Sequence, residues 1–105
     1  MRQVWIEKTG PPEVLRVHEA PDPVPGPGEL RVRVAFAGVN FAEVMARLGL
    51  YPDAPQLPFV PGYEVAGTVD EVGPGVEGYR VGERVTAVTR FGGYADCVCL
   101  PPALV

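Results

Sequence analysis

Thirteen glycines and thirteen prolines are spread through 105 residues, singly between short apolar runs and not in one biased tract. Proline fixes φ and lacks the N–H that a ladder needs, and glycine releases the chain into turns. No regular element can run far, so the fold must be assembled from short strands joined by many turns. A chain of this length supports one compact domain that buries roughly two thirds of its unfolded surface, and two independent cores do not fit.

Period-two alternation locates the strands. In RQVWIEK, Val4 and Ile6 share a face; TGPPE turns the chain, and in VLRVHEA Leu15 and Val17 share a face, which reads as an opening hairpin. APDPVPGPGE carries four prolines and cannot sustain a ladder, so an extended surface connector is expected. LRVRVAF is the clearest strand: Leu30, Val32, Val34 and Phe36 point to a core, and Arg31, Arg33 and Ala35 to water. The period then changes to about 3.6, with Phe41, Val44, Met45 and Leu48 as the apolar stripe of a short helix. Asn40 is its N-cap, Glu43 stands in the capping-box position, and Gly49 is its left-handed stop. VAGTVDEVG, RVTAVTR and YADCVCL are further strands. The expected fold is mainly β with one short helix, a partly closed barrel or a sandwich.

Hydrophobic residues are 47% and charged residues 21% of the chain, enough for both a core and a wet surface, and no apolar run reaches membrane-spanning length. MRQVWIEKTG lacks the apolar stretch of a signal peptide, so a cytoplasmic location is expected. The net charge is −4, with Arg31, Arg33, Arg80, Arg84 and Arg90 interleaved with acids, which argues against nucleic acid as a partner. Cys97 and Cys99 sit at i and i+2, a spacing that strains a direct disulfide and supplies two metal ligands at most. They read as buried structural thiols.

Gly73-Pro74-Gly75-Val76-Glu77-Gly78 matches G-x-G-x-x-G, yet YRVGERV follows and opens no helix, so a plain turn is expected and not a dinucleotide fingerprint. In FVPGYEVAGTV, Glu64 begins a strand among Val65, Ala66 and Gly67, where a carboxylate would be partly desolvated and would need a donor or a cation, such as Arg84 or Arg90.

AGVNFAEVMARLGLYP, LPFVPGYEVAGTVDEVGPGV, YRVGERV and FGGYADCV, in this order, resemble the N-terminal GroES-like catalytic domain of medium-chain dehydrogenases/reductases. Within that family they are most similar to the zinc-independent quinone oxidoreductase and VAT-1-like group. The resemblance covers residues 1–105 as one domain and implies a GroES-like, partly open β-barrel with one short helix. It implies hydride transfer from NADPH to a small quinone or enone, with growing negative charge on the acceptor oxygen met by hydrogen-bond donors. In zinc-dependent members the corner reads P-G-H-E with the histidine on the metal; Tyr63 stands there in this chain, and Asn40 replaces the first zinc-binding cysteine. The four-cysteine structural lobe is absent as well, so no zinc is expected. Glu64 then reads as a retained structural acid at the floor of a cleft without metal.

By the same resemblance Asn40 and Phe41 lie beside the nicotinamide, and Asn40 and Tyr51 are the catalytic candidates. Tyr51 can donate from a protonated phenol; stacking on Pro52 is its alternative role. Tyr63, Glu64, Arg90 and Phe91 are expected around the substrate cleft. The Rossmann domain that holds most of the cofactor in this family is not encoded in these residues. The chain alone is therefore expected to fold at least partly, without tight NADPH binding or turnover. Self-association through the exposed face, giving a homo-oligomer, is a further expectation. The alternative is a stand-alone GroES-like binding module without catalysis.

Overall fold

The opening hairpin forms as expected in the computed structural model, which describes residues 1–105. Strand β1 (Arg2–Ile6) pairs antiparallel with β2 (Leu15–Glu19), Val4 opposite Val17 and Ile6 opposite Leu15. Two strands alone are marginal in water. This pair is sewn to the rest through the Val4 N–H on the Tyr94 carbonyl (2.8 Å) and reciprocal bonds between Ile6 and Phe59 (2.8 and 3.1 Å). Ile6 is fully buried there with Ala46 and Phe59, in a small core also touched by Tyr51 and Phe91.

The larger sheet contains β3 (Leu30–Ala37), β4 (Glu64–Val72), β5 (Arg84–Val88) and β6 (Cys97–Leu100), all antiparallel in the order β5-β4-β3-β6. Leu30, Val32, Val65, Val69, Val98 and Leu100 form its core. Leu30, Val32 and Val69 are completely buried, each contributing about 1.5–3 kcal/mol. The two sheets stay open and do not close on themselves, so the mainly β, GroES-like arrangement with one short helix is present without a closed barrel.

One face assignment is corrected. Phe36 was expected in the core with Val34, but it is 77% exposed. The register explains this: Val34 pairs with Gly67 and Phe36 with Ala66, so Ala35 is an extra residue on β3. A bulge of this kind moves every later side chain to the opposite face. Ala37 takes the inward place instead.

The helix, α1, runs Phe41–Arg47 between the predicted borders; Leu48 caps it, and Gly49 follows at φ 78°, a conformation that glycine adopts without strain. The stripe is the second correction. Phe41 is 66% exposed and Leu48 is also exposed, whereas the buried face carries Glu43 and Ala46. At seven residues the helix has little apolar face to spare, and small Ala46 lets it approach Ile6 and Phe59 closely.

The proline-rich connector is extended, and its Asp22 joins an ion network on the polar side of the sheet. The Met1 α-amino group and Arg33 Nη2 each lie 3.0 Å from Asp22; Arg33 also meets Asp70 at 3.0 Å, and Arg31 meets Asp70 at 2.8 Å. Cys97 is buried and Cys99 half-buried, both as free thiols; burial, with the Glu29 charge next, pushes the Cys99 thiol up to about 11. Gly73–Gly78 forms turns after β4 and leads to β5 without a helix. No helix is long and apolar enough to cross a membrane.

Candidate functional site

The stretch from Val60 to Tyr63 is held against residues 89–94 by a run of backbone bonds. Gly92 N–H donates to the Val60 carbonyl (2.7 Å), Tyr94 N–H to Pro61 (2.9 Å) and Gly93 N–H to Gly62 (3.0 Å); the Thr89 hydroxyl also donates to Gly62. The Tyr63 carbonyl accepts from Thr89 (2.8 Å) and Arg90 (3.1 Å). Arg90 takes φ 62°, the left-handed region, at a cost of about 1–2 kcal/mol that these bonds offset.

This double loop collects aromatic rings. Phe91 lies at the centre, edge-on to buried Phe59 at 5.9 Å, to Tyr63 at 6.3 Å and to Tyr51 at 6.4 Å. Tyr51 and Tyr63 are half-buried. The neighbouring Tyr63 side chain is the main reason that Tyr51 titrates above its usual value; desolvation adds to the rise. The Asp53 charge also raises it, and the Arg90 charge opposes that. A phenol is protonated at neutral pH in any case and can act as a donor.

Asn40 enters the same neighbourhood through an acid whose wider role sequence reasoning missed. Glu43 is 7% exposed. Its Oε2 accepts the Asn40 N–H at 2.7 Å, as the capping reading expects, but its Oε1 accepts the Tyr63 N–H, also at 2.7 Å. Tyr94 packs near it, and burial first, then the Glu43 charge, raises the Tyr94 phenol pKa. Asn40 and Phe41 are exposed on the rim of this region.

Glu64 differs from its expectation. It is exposed and not desolvated, and neither Arg84 nor Arg90 pairs with it; its carboxylate leans over Gly38, in a groove between the ends of β3, β4 and β5. The structure therefore brings Tyr51, Tyr63, Arg90 and Phe91 together, ties Asn40 to them through Glu43, and turns Glu64 elsewhere. Nowhere do three His, Cys, Asp or Glu side chains converge as metal ligands.

An open antiparallel sheet with one capped helix against an aromatic corner defines a class. Residues 26–104 match the alcohol dehydrogenase GroES-like domain, and the chain belongs to that family, as an N-terminal domain of the medium-chain dehydrogenase/reductase type. It is similar to a probable quinone oxidoreductase of Schizosaccharomyces pombe, 45% identical over 97% of this chain and 31% of that protein. The crystal structure of human synaptic vesicle membrane protein VAT-1 homolog-like protein superposes with a TM-score of 0.94 at 38% identity, over 99% of this chain and 34% of that one. Escherichia coli quinone oxidoreductase complexed with NADPH superposes with a TM-score of 0.87 at 35% identity, over 95% of this chain and 31% of that one. The chain spans about a quarter to a third of the length of the relatives it matches.

Proposed function

We propose that this chain is the substrate-side domain of an NADPH-dependent, zinc-independent oxidoreductase that acts on quinones or enones. The observation that carries the reading is the Tyr51 and Tyr63 phenol pair on Phe91, joined to Asn40 by one buried carboxylate. NADPH, when bound, supplies the hydride. Asn40 and Phe41, exposed at the rim, face its nicotinamide end. For the phosphates this chain offers no glycine-rich turn leading into a helix, so a Rossmann domain elsewhere in the protein holds them.

Tyr51 donates a hydrogen bond to the acceptor oxygen as negative charge grows there, a contact stronger in the transition state than before it. Tyr63 lies beside that phenol, both rings packed on Phe91. Phe91 excludes water from one side, and Arg90 adds a positive charge at the rim. Tyr63 and Asn40, at the positions where zinc-dependent members carry a histidine and a cysteine, favour a site that relies on these donors and not on zinc.

A chimaera tests the reading: this chain replaces the matching N-terminal part of Escherichia coli quinone oxidoreductase. Quinone-dependent or enone-dependent NADPH oxidation, without stoichiometric zinc by elemental analysis, is the expected result. A folded chimaera that binds NADPH and reduces neither acceptor class overturns it. Micromolar NADPH binding and turnover by the 105-residue chain alone would show instead that the chain is a complete enzyme.

A further inference from the structure

A cavity of about 420 Å³ opens on one face of the first hairpin, between Trp5 of β1, Glu7 just after it, His18 of β2 and the Leu57-Pro58 segment. Strand register builds it. Val4 lies opposite Val17 and Gln3 opposite His18, so alternation sets Gln3, Trp5 and Glu7 on the same face as His18. The reciprocal bonds between Ile6 and Phe59 then draw Leu57 and Pro58 alongside that face. None of these residues belongs to the aromatic corner around Phe91.

The chemistry of the cavity favours one sign of charge. One oxygen of the Glu7 carboxylate meets His18 Nε2, and the other is left open. Facing a carboxylate, Nε2 carries the proton, so Nδ1 of a neutral His18 is an acceptor. The Trp5 Nε1–H, which could have served an anion, is already engaged by Gln3 Oε1 at 3.3 Å. His18 stands edge-on to the indole, at 79° and 6.4 Å, and does not stack over it. Arg16, the cation opposite Trp5 in the register, is held by the Glu13 carbonyl at 2.7 Å, and no arginine or lysine lines the cavity. What remains is an indole wall, the apolar Leu57 and Pro58, and acceptors beside a net negative charge. Such surroundings attract a cation and repel an anion.

We propose that this cavity binds a small aromatic ammonium ion of the arylalkylamine class, with its ring between Trp5 and Leu57 and its N–H groups on Glu7 and His18. The volume lies within the range of small-ligand pockets and suits one ring on a short chain. A primary ammonium is all donor, which matches the open Glu7 oxygen and His18 Nδ1, and indole is the best of the aromatic partners for a cation. The site shares no residue with Tyr51, Tyr63, Arg90 or Phe91, so it stands or falls apart from the oxidoreductase reading.

Trp5 is the only tryptophan of the chain, so its emission reports on this cavity. Titration with 2-phenylethylammonium is expected to change that emission saturably, whereas neutral 2-phenylethanol should bind about fivefold more weakly and 3-phenylpropionate not at all. Glu7→Gln, at an exposed position, should weaken the ammonium about threefold to fivefold, as loss of a solvent-accessible ion pair does. Trp5→Leu, followed through the amide shifts of Glu7, His18 and Leu57, should weaken it about as much. Glu77→Gln, in an exposed turn outside the cavity, removes the same charge and should leave the affinity as it was. Equal affinity for the ammonium and the alcohol, or an unchanged affinity in Glu7→Gln, overturns the proposal. So does an emission change that never saturates, and so does an equal loss in Glu77→Gln, which would reduce the effect to net charge.

Discussion

The Glu43 carboxylate accepts the backbone N–H of Tyr63 with one oxygen and that of Asn40 with the other, both at 2.7 Å, so a single buried acid sets the spacing between the helix start and the aromatic corner. Desolvating a carboxylate is costly, and here two amide donors and the positive end of a helix compensate it.

Glu43→Gln should keep one of these bonds and turn an amide NH2 toward the other donor, lowering stability by about 2 kcal/mol; Glu43→Ala leaves both donors unsatisfied and should cost about 4 kcal/mol. Urea unfolding with an unchanged m-value reads both losses. A midpoint equal to that of the parent chain would show that the acid supports nothing.

Tyr63→Phe removes the hydroxyl that is the first cause of the raised Tyr51 pKa, so Tyr51 should titrate at lower pH in the variant, closer to an ordinary phenol. Tyr94 should not move, because its rise comes from burial and from Glu43. Ring-carbon NMR titration of labelled tyrosines separates the two. In the chimaeric oxidoreductase, Tyr51→Phe should lower kcat more than it weakens NADPH binding.

Gly67→Ala should be costly, because the new Cβ would lie 2.0 Å from the Arg33 carbonyl oxygen across the β3–β4 pair, next to the bulge. Neither backbone can yield without losing ladder bonds, so a loss of about 3 kcal/mol is expected, against about 1 kcal/mol for Gly75→Ala, where a Cβ meets nothing. Thermal melts of the two variants should differ by several degrees, roughly 4–8 °C per kcal/mol.

Acid should loosen the connector before it loosens the core. Arg33 first, then the Met1 amino group, holds the Asp22 carboxyl down at about 2, and Arg2 depresses Asp96. A carboxyl with a lowered folded pKa contributes stability that is complete above its unfolded value near pH 4 and is lost as pH falls through the folded value. Stability should therefore decline between about pH 4 and 2, and Asp22→Asn should flatten that slope. The ions are solvent-exposed, so the slope should also shrink in high salt. An identical acid profile in Asp22→Asn would remove this role.

Much of the architecture was legible because its signals are local. The hairpin follows from alternation around Pro11 and Pro12, the helix borders from Asn40 and Gly49, and the plain turn at Gly73–Gly78 from the strand that succeeds it. Phe36 and the helix stripe were misplaced for one shared reason: period analysis assumes unbroken register and a partner on the apolar face. The extra residue at Ala35 breaks the first assumption, and α1 turns Glu43 and Ala46 inward against the second.

The corner from Pro61 to Glu64 shows the same division. That an acid stands beside Pro61 and Gly62 is written in the chain, and so is the absence of a histidine and a cysteine where a metal site of this family would need them. Two acids competed for the buried place, and only the tertiary structure chose Glu43 over Glu64. The choice rests on a hydrogen bond between residues twenty positions apart, and on which side of β4 is covered. Local propensity cannot encode either, because both exist only once β4, α1 and the loop through Arg90 have been brought together. Residue types and turns were thus determined by sequence alone, and burial and pairing by packing, where desolvation admits a carboxylate only beside donors that the fold delivers.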